Sequence, residues 1–400
     1  MLSLRPSRRL CHSAAAAAIS CVNSSATVSS SVQNPKRIEE PALIKLKSER
    51  DPEKLFHLFK ANAHNRLVVE NRFAFEDTVS RLAGAGRFDY IEELLEQQKA
   101  LPQGRREGFI VRIIMLYGKA GMIKQSVDTF SNMHLFGCKR TVKSFNATLQ
   151  VLVQTRDLEA IQAFFLEMPS KFHVELDVIS LNIVIKALCE MCVLDRAYSI
   201  MVEMERVGIR PDVVTYTTLI SAFYKSNRGE VGNGLWNLMV LKSCLPNLAT
   251  FNVRVQYLVN RHRAWEANRL LKVMIKIRMK PDEVTYNLVI KGFFLIGDLK
   301  MAKRVYSALH GNGYKPNMKI YQTMIHYLCR EGEFGMAYTI CKDSMGKNWF
   351  PSVETIIALL KGLKKNGQIG RANVIVNLAK ERAPPFSSSQ INAFKTIVSE

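Results

Sequence analysis

Two sets of residues have the types and spacing to do chemistry. The first is His173-Val174-Glu175 followed by Cys189-Glu190-Met191-Cys192. A His-x-Glu pair with a Cys-x-x-Cys pair can hold zinc through the His and both thiolates, while the glutamate carries protons for an activated water. The second is a series of amides, hydroxyls and carboxylates: Asn146, Asn182, Thr217, Asn252 and Asn287, then Asp177, Asp212, Asn247, Asp282 and Asn317. Such groups break no bonds. They offer donors and acceptors to any polar, planar edge brought against them. Asp or Asn directly after proline, as at 212, 247, 282 and 317, also suits a turn, where its side chain bonds nearby backbone.

The elements that must carry these residues repeat. Pro211, Pro246, Pro281, Pro316 and Pro351 stand 35 residues apart without a slip. A small residue keeps the same spacing at Ala197, Gly232, Ala267, Ala302, Ala337 and Ala372. So do a bulky apolar residue at Met204, Met239, Met274 and Leu309, and a mostly aromatic column at Leu181, Tyr216, Phe251, Tyr286, Tyr321 and Ile356. Columns in phase at one period mean stacked supersecondary units.

One unit, 213–247, reads as follows. Thr215 is placed to cap a first helix. Tyr216, Leu219, Ile220 and Phe223 recur at helical spacing. Asn227 and Gly229 interrupt the pattern, and a second helix carries Leu235, Trp236, Leu238 and Met239 before Pro246 ends it. Neither helix buries its apolar face alone, so the expected fold is all-α: helix-turn-helix units stacked into a solenoid. Nine units are expected, at 72–106, 107–141, 142–177, 178–212, 213–247, 248–282, 283–317, 318–352 and 353–387. The first two lack the opening motif, and the extra residue of 142–177 falls at the connection near Pro169-Ser170-Lys171-Phe172. Residues 36–71, with a helix opened by Asp51, Pro52 and Glu53, form a partial capping unit. Residues 388–400 are a C-terminal tail, too short for a catalytic domain.

The repeat frame excludes the zinc reading. Cys189 falls at place 12 of its unit, as does Cys329, and Leu188 stands where the zinc signature needs proline. Cys138, Cys244 and Cys341 are scattered, as packed reduced thiols are. No phosphate-cradling glycine loop, nucleophile elbow or aspartate cluster is present, so neither an enzyme nor a metal nor a cofactor is expected. Residues 1–35 are basic, Ser-rich and free of acids, which is the composition of an organellar transit peptide. The early arginines favour the mitochondrion over the plastid. The alanine run at 14–18 is too short to cross a bilayer. The net charge is +21, from 56 Lys and Arg against 35 Asp and Glu. That balance suits a polyanionic partner, although organellar proteins are often basic in any case.

The openings Pro-Asp-Val-Val-Thr-Tyr-Thr-Thr-Leu-Ile at Pro211 and Pro-Asp-Glu-Val-Thr-Tyr-Asn-Leu-Val-Ile at Pro281 resemble the pentatricopeptide repeat family, in its plain form of 35-residue repeats and its plant organellar type. Tetratricopeptide repeats differ in period and in their Trp/Gly/Tyr pattern. The resemblance covers about 72–387. It implies a right-handed superhelix that binds single-stranded RNA, one base per repeat. By resemblance, place 5 of a repeat bonds the base edge, the last residue selects with it, and place 2 packs between bases. The base-selecting pairs are then Asn146 with Asp177, Asn182 with Asp212, Thr217 with Asn247, Asn252 with Asp282, and Asn287 with Asn317. The family's pairing rule reads them 5′ to 3′ as U, U, A, U, then C or U. Five such pairs in phase favour base contact, or its ancestral trace, over turn formation alone. The sandwich place is apolar at Ile179, Val214 and Val284, small at Ala249 and charged at Lys143. Glu76 with Arg106, Val111 with Thr141, Gln322 with Ser352 and Ile357 with Ser387 depart from the rule. Place 13 holds Lys119, Lys225, Arg330 and Lys365, candidate phosphate contacts or a solvated face.

Two functions follow as expectations. One is an adaptor on organellar transcripts that acts sterically in RNA stabilisation, processing, splicing or translation. The other is a structural member of the mitochondrial ribosome or another large ribonucleoprotein, holding ribosomal RNA by shape and charge. Ribosomal or RNA-processing proteins are further possible partners, and no membrane is.

Overall fold

Most helix pairs here have ends marked by one residue in a left-handed backbone, and those residues keep the period. After the first helices they are Gly86, Gly121, Arg156, Cys192, Asn227, His262, Gly297, Gly332 and Gly367. After the second they include His173, Gly208, Ser243, Arg278, Gly313 and Asn348. At such an end the backbone folds back and satisfies carbonyls of the last turn; the Val193 N–H donates to the Leu188 carbonyl (2.8 Å) and that of Cys192 to Cys189 (3.2 Å).

The computed structural model describes residues 41–311 and 313–399; the expected transit peptide lies outside them. The described residues are helical and contain no strand, and no helix among them is long and apolar enough to cross a membrane. The fold is an all-α helical-repeat solenoid. Two units are distinguished, Met1–Thr215 and Tyr216–Glu400.

In the first unit, Pro41–Ser48, Pro52–Ala61 and Arg66–Glu70 precede the pairs Arg72–Gly84 with Phe88–Ala100, Glu107–Lys119 with Ile123–Ser131, Val142–Leu152 with Leu158–Phe172, and Val178–Glu190 with Leu194–Arg206. Asp51 caps its helix as expected, accepting from the Glu53 and Lys54 amides (2.9 and 3.0 Å). The stretch near Pro169 read as a connection is helix: Leu158–Phe172 runs through Pro169 for 15 residues and stops at His173. A proline in the last turn loses one bond but does not force the chain out of the helix.

In the second unit the pairs are Leu248–Asn260 with Ala264–Lys276, Glu283–Leu295 with Leu299–Gly311, Met318–Arg330 with Phe334–Gly346, and Val353–Lys365 with Ile369–Lys380. Val213–Lys225, which carries the boundary between the units, is followed by Gly229–Leu241. Gly229 is therefore the first residue of a helix rather than a breaker. Its missing side chain admits a neighbour, because a Cβ there would stand 2.0 Å from the Tyr257 hydroxyl. Within the expected tail, Ser388–Ser399 is a helix that buries Phe394.

The periodic columns are the core. Tyr216, Phe251, Tyr286, Tyr321 and Ile356 are buried, as are Met204, Met239, Met274 and Leu309. The small column sits where helices approach: Ala267, Ala302, Ala337 and Ala372 are fully buried. At Gly232 a Cβ would come 2.6 Å from the Tyr224 ring, which itself stacks on Tyr257 at 3.9 Å.

Candidate nucleic-acid interface

The site begins at the helix caps. The sequence pattern casts Thr215 as the cap of Val213–Lys225, and the structure corrects this. Asp212 accepts the Thr215 amide on Oδ1 (2.9 Å), and the Asp212 amide donates back to Thr215 Oγ1 (3.1 Å). This is the reciprocal capping box, in which a hydroxyl three places on serves the cap instead of being it. Asp177, Asn247 and Asp282 cap their helices in the same way, and Asn317 caps with its side chain alone. The last residue of each of these five expected repeats is thus fixed in place by the helix that follows it.

The cap also holds the place-5 side chain. Asn182 Nδ2 donates to Asp212 Oδ1 (3.1 Å), and Thr215 Oγ1 donates to Asn182 Oδ1 (2.6 Å). A carboxylate only accepts, so it takes the amino side of the amide, and the hydroxyl meets the oxygen side. The ring recurs as Asn146–Asp177–Ser180, at 3.1 and 2.6 Å, and as Asn252–Asp282–Thr285, at 3.2 and 2.6 Å. Each Asn keeps one amide hydrogen and one oxygen lone pair outside the ring. Burial raises the Asp177 and Asp282 carboxyls, but hydrogen bonds from the residue three places on and from the paired Asn outweigh it, so both lie below the usual carboxylate range.

Two pairs differ. Thr217 Oγ1 lies 2.8 Å from Thr250 Oγ1. Asn247 Oδ1 accepts the Thr250 amide (3.0 Å), and the Thr250 hydroxyl lies 3.0 Å from it. Either threonine can be the donor in the Thr217–Thr250 bond, and the Thr217 hydroxyl can both donate to and accept from a polar edge brought against it. At Asn287 the ring is open. Asn317 Oδ1 accepts the Ile320 amide (3.1 Å), but Ile320 brings no hydroxyl, and Asn287 Oδ1 is buried without a partner. Leaving a buried acceptor in that state costs about 1–3 kcal/mol.

Apolar side chains stand exposed beside the rings. Ile179, Val214 and Val284 sit in the first turns after the caps and are 55, 57 and 48% exposed, where core residues of the same type are near zero. Ala249 and Lys143 are exposed too. The sequence reading missed Phe73, which holds the same place in 72–106 and is 86% exposed. It also missed the bridging hydroxyls of Ser180, Thr215, Thr250 and Thr285. Their constant three-residue offset from the cap is the signal that would have found them.

Lys225, Arg330 and Lys365 are exposed at the ends of first helices, and the Arg330 guanidinium lies 5.8 Å from the Tyr327 ring. Lys119 is engaged by Glu76 at 2.5 Å. The zinc-like residues do not form a site. His173 is a helix end, Cys189 lies on a helix, and Cys192 is exposed in the turn.

Models of the PPR repeat family match residues 176–225 and 211–260, and a pentatricopeptide repeat domain model matches 269–330. A PPR repeat model also matches 112–138. A mitochondrial pentatricopeptide repeat-containing protein of Arabidopsis thaliana is 67% identical over 246 residues, 61% of each chain. This chain belongs to the pentatricopeptide repeat family. Two further pentatricopeptide relatives in the same plant are the small ribosomal subunit proteins mL103 and mS79. They are 34% and 36% identical over 50% and 47% of this chain, and over 49% and 47% of their own lengths. The chain thus spans less than two thirds of each of these relatives. Among solved structures, the pentatricopeptide repeat protein PPR10 from maize superposes with a TM-score of 0.52, at 17% identity, over 89% of this chain and 59% of that one. That likeness bears on the fold.

Within this pentatricopeptide protein the flanking stretches lack the ring. Glu76 is taken by Lys119, and Arg106 lies 3.7 Å from Glu70. Thr141 is held by Glu107 (2.7 Å) opposite the apolar Val111. Gln322 and Ile357 are paired by position with Ser352 and Ser387, and Ser352 caps its helix by accepting the Thr355 amide.

Proposed function

We propose that this chain is a mitochondrial adaptor that holds single-stranded RNA and acts sterically on its stabilisation, processing, splicing or translation, with no chemistry of its own. The carrying observation is the ring repeated at Asn146, Asn182 and Asn252, each with its amide fixed in one orientation. Base recognition needs donors and acceptors set in advance, and an exposed apolar residue near each site suits the faces of bases. The five selecting pairs read U, U, A, U and a pyrimidine. Exposed cations at Lys225, Arg330 and Lys365 supply phosphate contact, and the formal charge of +21 draws the strand in. The mitochondrial relative supports the compartment, and the composition of residues 1–35 supports import. The repeat boundaries, the capping role of 36–71 and the tail at 388–400 belong to the same reading.

The direct test removes one ring. Asn182→Ala with Asp212→Ala weakens binding to a U-rich strand more than to a scrambled one. Equal loss on both strands rejects base reading at that ring.

A second reading is favoured by the likeness to mL103 and mS79 and by the flanking stretches without rings. It makes the chain a fixed component of the mitochondrial ribosome that holds RNA by shape and charge. Co-migration of the native protein with ribosomal subunits at high salt supports it, and migration only in small complexes rejects it.

A further inference from the structure

The closed rings and the open one differ at the cap, Asp against Asn317, and at the residue three places after it. Ser180, Thr215 and Thr285 each donate a hydroxyl to the place-5 amide oxygen at 2.6 Å. Ile320 occupies the corresponding place for Asn287, whose Oδ1 is buried and without a partner. We propose that the hydroxyl three residues after each cap is a positioning residue for base selection, and that Ile320 makes the Asn287 place accept either pyrimidine. This rests on the RNA-reading function proposed above.

The physical reason lies in the order of groups. Cytosine and uracil present opposite orders on the edge that matters: uracil has the N3–H donor beside the O4 acceptor, and cytosine has the N3 acceptor beside the N4 donor. An amide held at both ends presents one order of oxygen and nitrogen and matches one of the two. In the closed rings the carboxylate anchors nitrogen and the hydroxyl anchors oxygen. At Asn287 no hydroxyl meets the amide oxygen, which is buried without a partner. The Asn287 amide is free to turn over, so it matches both pyrimidines. The cap at this place is also Asn317 rather than Asp, which removes the acceptor-only group that would otherwise forbid the turn.

The test uses the full chain and short single-stranded RNAs that differ by U or C at the base facing Asn252 or the base facing Asn287. Wild type prefers U at the first base and is indifferent at the second. Thr285→Val keeps the shape, removes the hydroxyl and lowers the preference facing Asn252 by about fivefold, the effect of one hydrogen bond. Ile320→Thr creates a preference of about the same size facing Asn287. In each case discrimination at the other places is unchanged, which a merely structural role would not produce. Should Thr285→Val fold poorly, Ile320→Thr decides alone, since it adds a partner to an orphaned group. A wild-type preference facing Asn252 that survives Thr285→Val, with indifference persisting in Ile320→Thr, overturns the inference and leaves base reading standing. Equal shifts at every base also overturn it. A wild type indifferent at every base rejects base reading, and the inference with it.

Discussion

The stretch 142–317 and the stretches on either side of it share a fold but not a site. The buried columns continue into the flanks: Tyr321, Ile356, Ala337 and Ala372 are as buried as Tyr286 and Ala302. The polar columns do not. Where 142–317 sets amides against caps, the flanks set Glu76 against Lys119, pair the place of Val111 with a threonine held by Glu107, and pair the places of Gln322 and Ile357 with serines. Core and site occupy different faces of the same helix, so one can be kept while the other is lost. A solenoid needs its columns in every repeat, because each repeat buries the next. It needs a reader only where a base is read.

The comparison breaks most sharply at the core. Tyr286→Ala removes a fully buried ring and costs about 3–5 kcal/mol, and Tyr321→Ala does the same in the flank. Thermal unfolding of both variants checks this, and a difference larger than the usual spread between sites would show that the flank is packed by other means. A smaller effect separates cap from reader. Asp282→Ala and Ser352→Ala each lose an N-cap worth about 1 kcal/mol. Only Asp282→Ala also loses RNA discrimination, because only Asp282 holds an amide. Affinity for matched and mismatched RNA measures it.

Smaller again is the phosphate term. Lys225→Ala lowers the slope of log affinity against log salt by about one. Lys119→Ala lowers it less, because its ammonium is already given to Glu76. The smallest effect is acid. Asp177 and Asp282 have folded pKa values below the ordinary 3.8, so their stabilisation is complete above that value and is lost as pH falls through the lower folded one. Asp177→Asn with Asp282→Asn therefore flattens the stability profile below about pH 4 and leaves its slope near neutrality unchanged. An acid titration followed by circular dichroism reads it.

Much of this was legible before the structure. Prolines and aromatics at a fixed period announce stacked helix pairs, because the residues that end helices and those that fill cores are chemically distinctive. The paired polar places were visible as a column as well. Three things were not. Thr215 looks like a cap by type, yet Asp212 holds that role, because a carboxylate accepts the free amide better and leaves the hydroxyl to bridge. Lys119 looks free by composition, yet its partner lies 43 residues away. Asn287 looks like Asn252, and the difference between them resides in Asn317 and Ile320, at the start of the second helix on and far along the chain. Such contacts depend on which faces meet, and a single stretch of sequence does not carry that.

The most direct test of base reading is selection of binders from random single-stranded RNA by the purified chain at near-physiological salt, held fixed because phosphate contacts make affinity steeply salt-dependent. Enrichment of a UUAU core followed by a pyrimidine is the expected result. Tight binding without an enriched motif would contradict base reading and leave a chain that holds RNA by shape and charge.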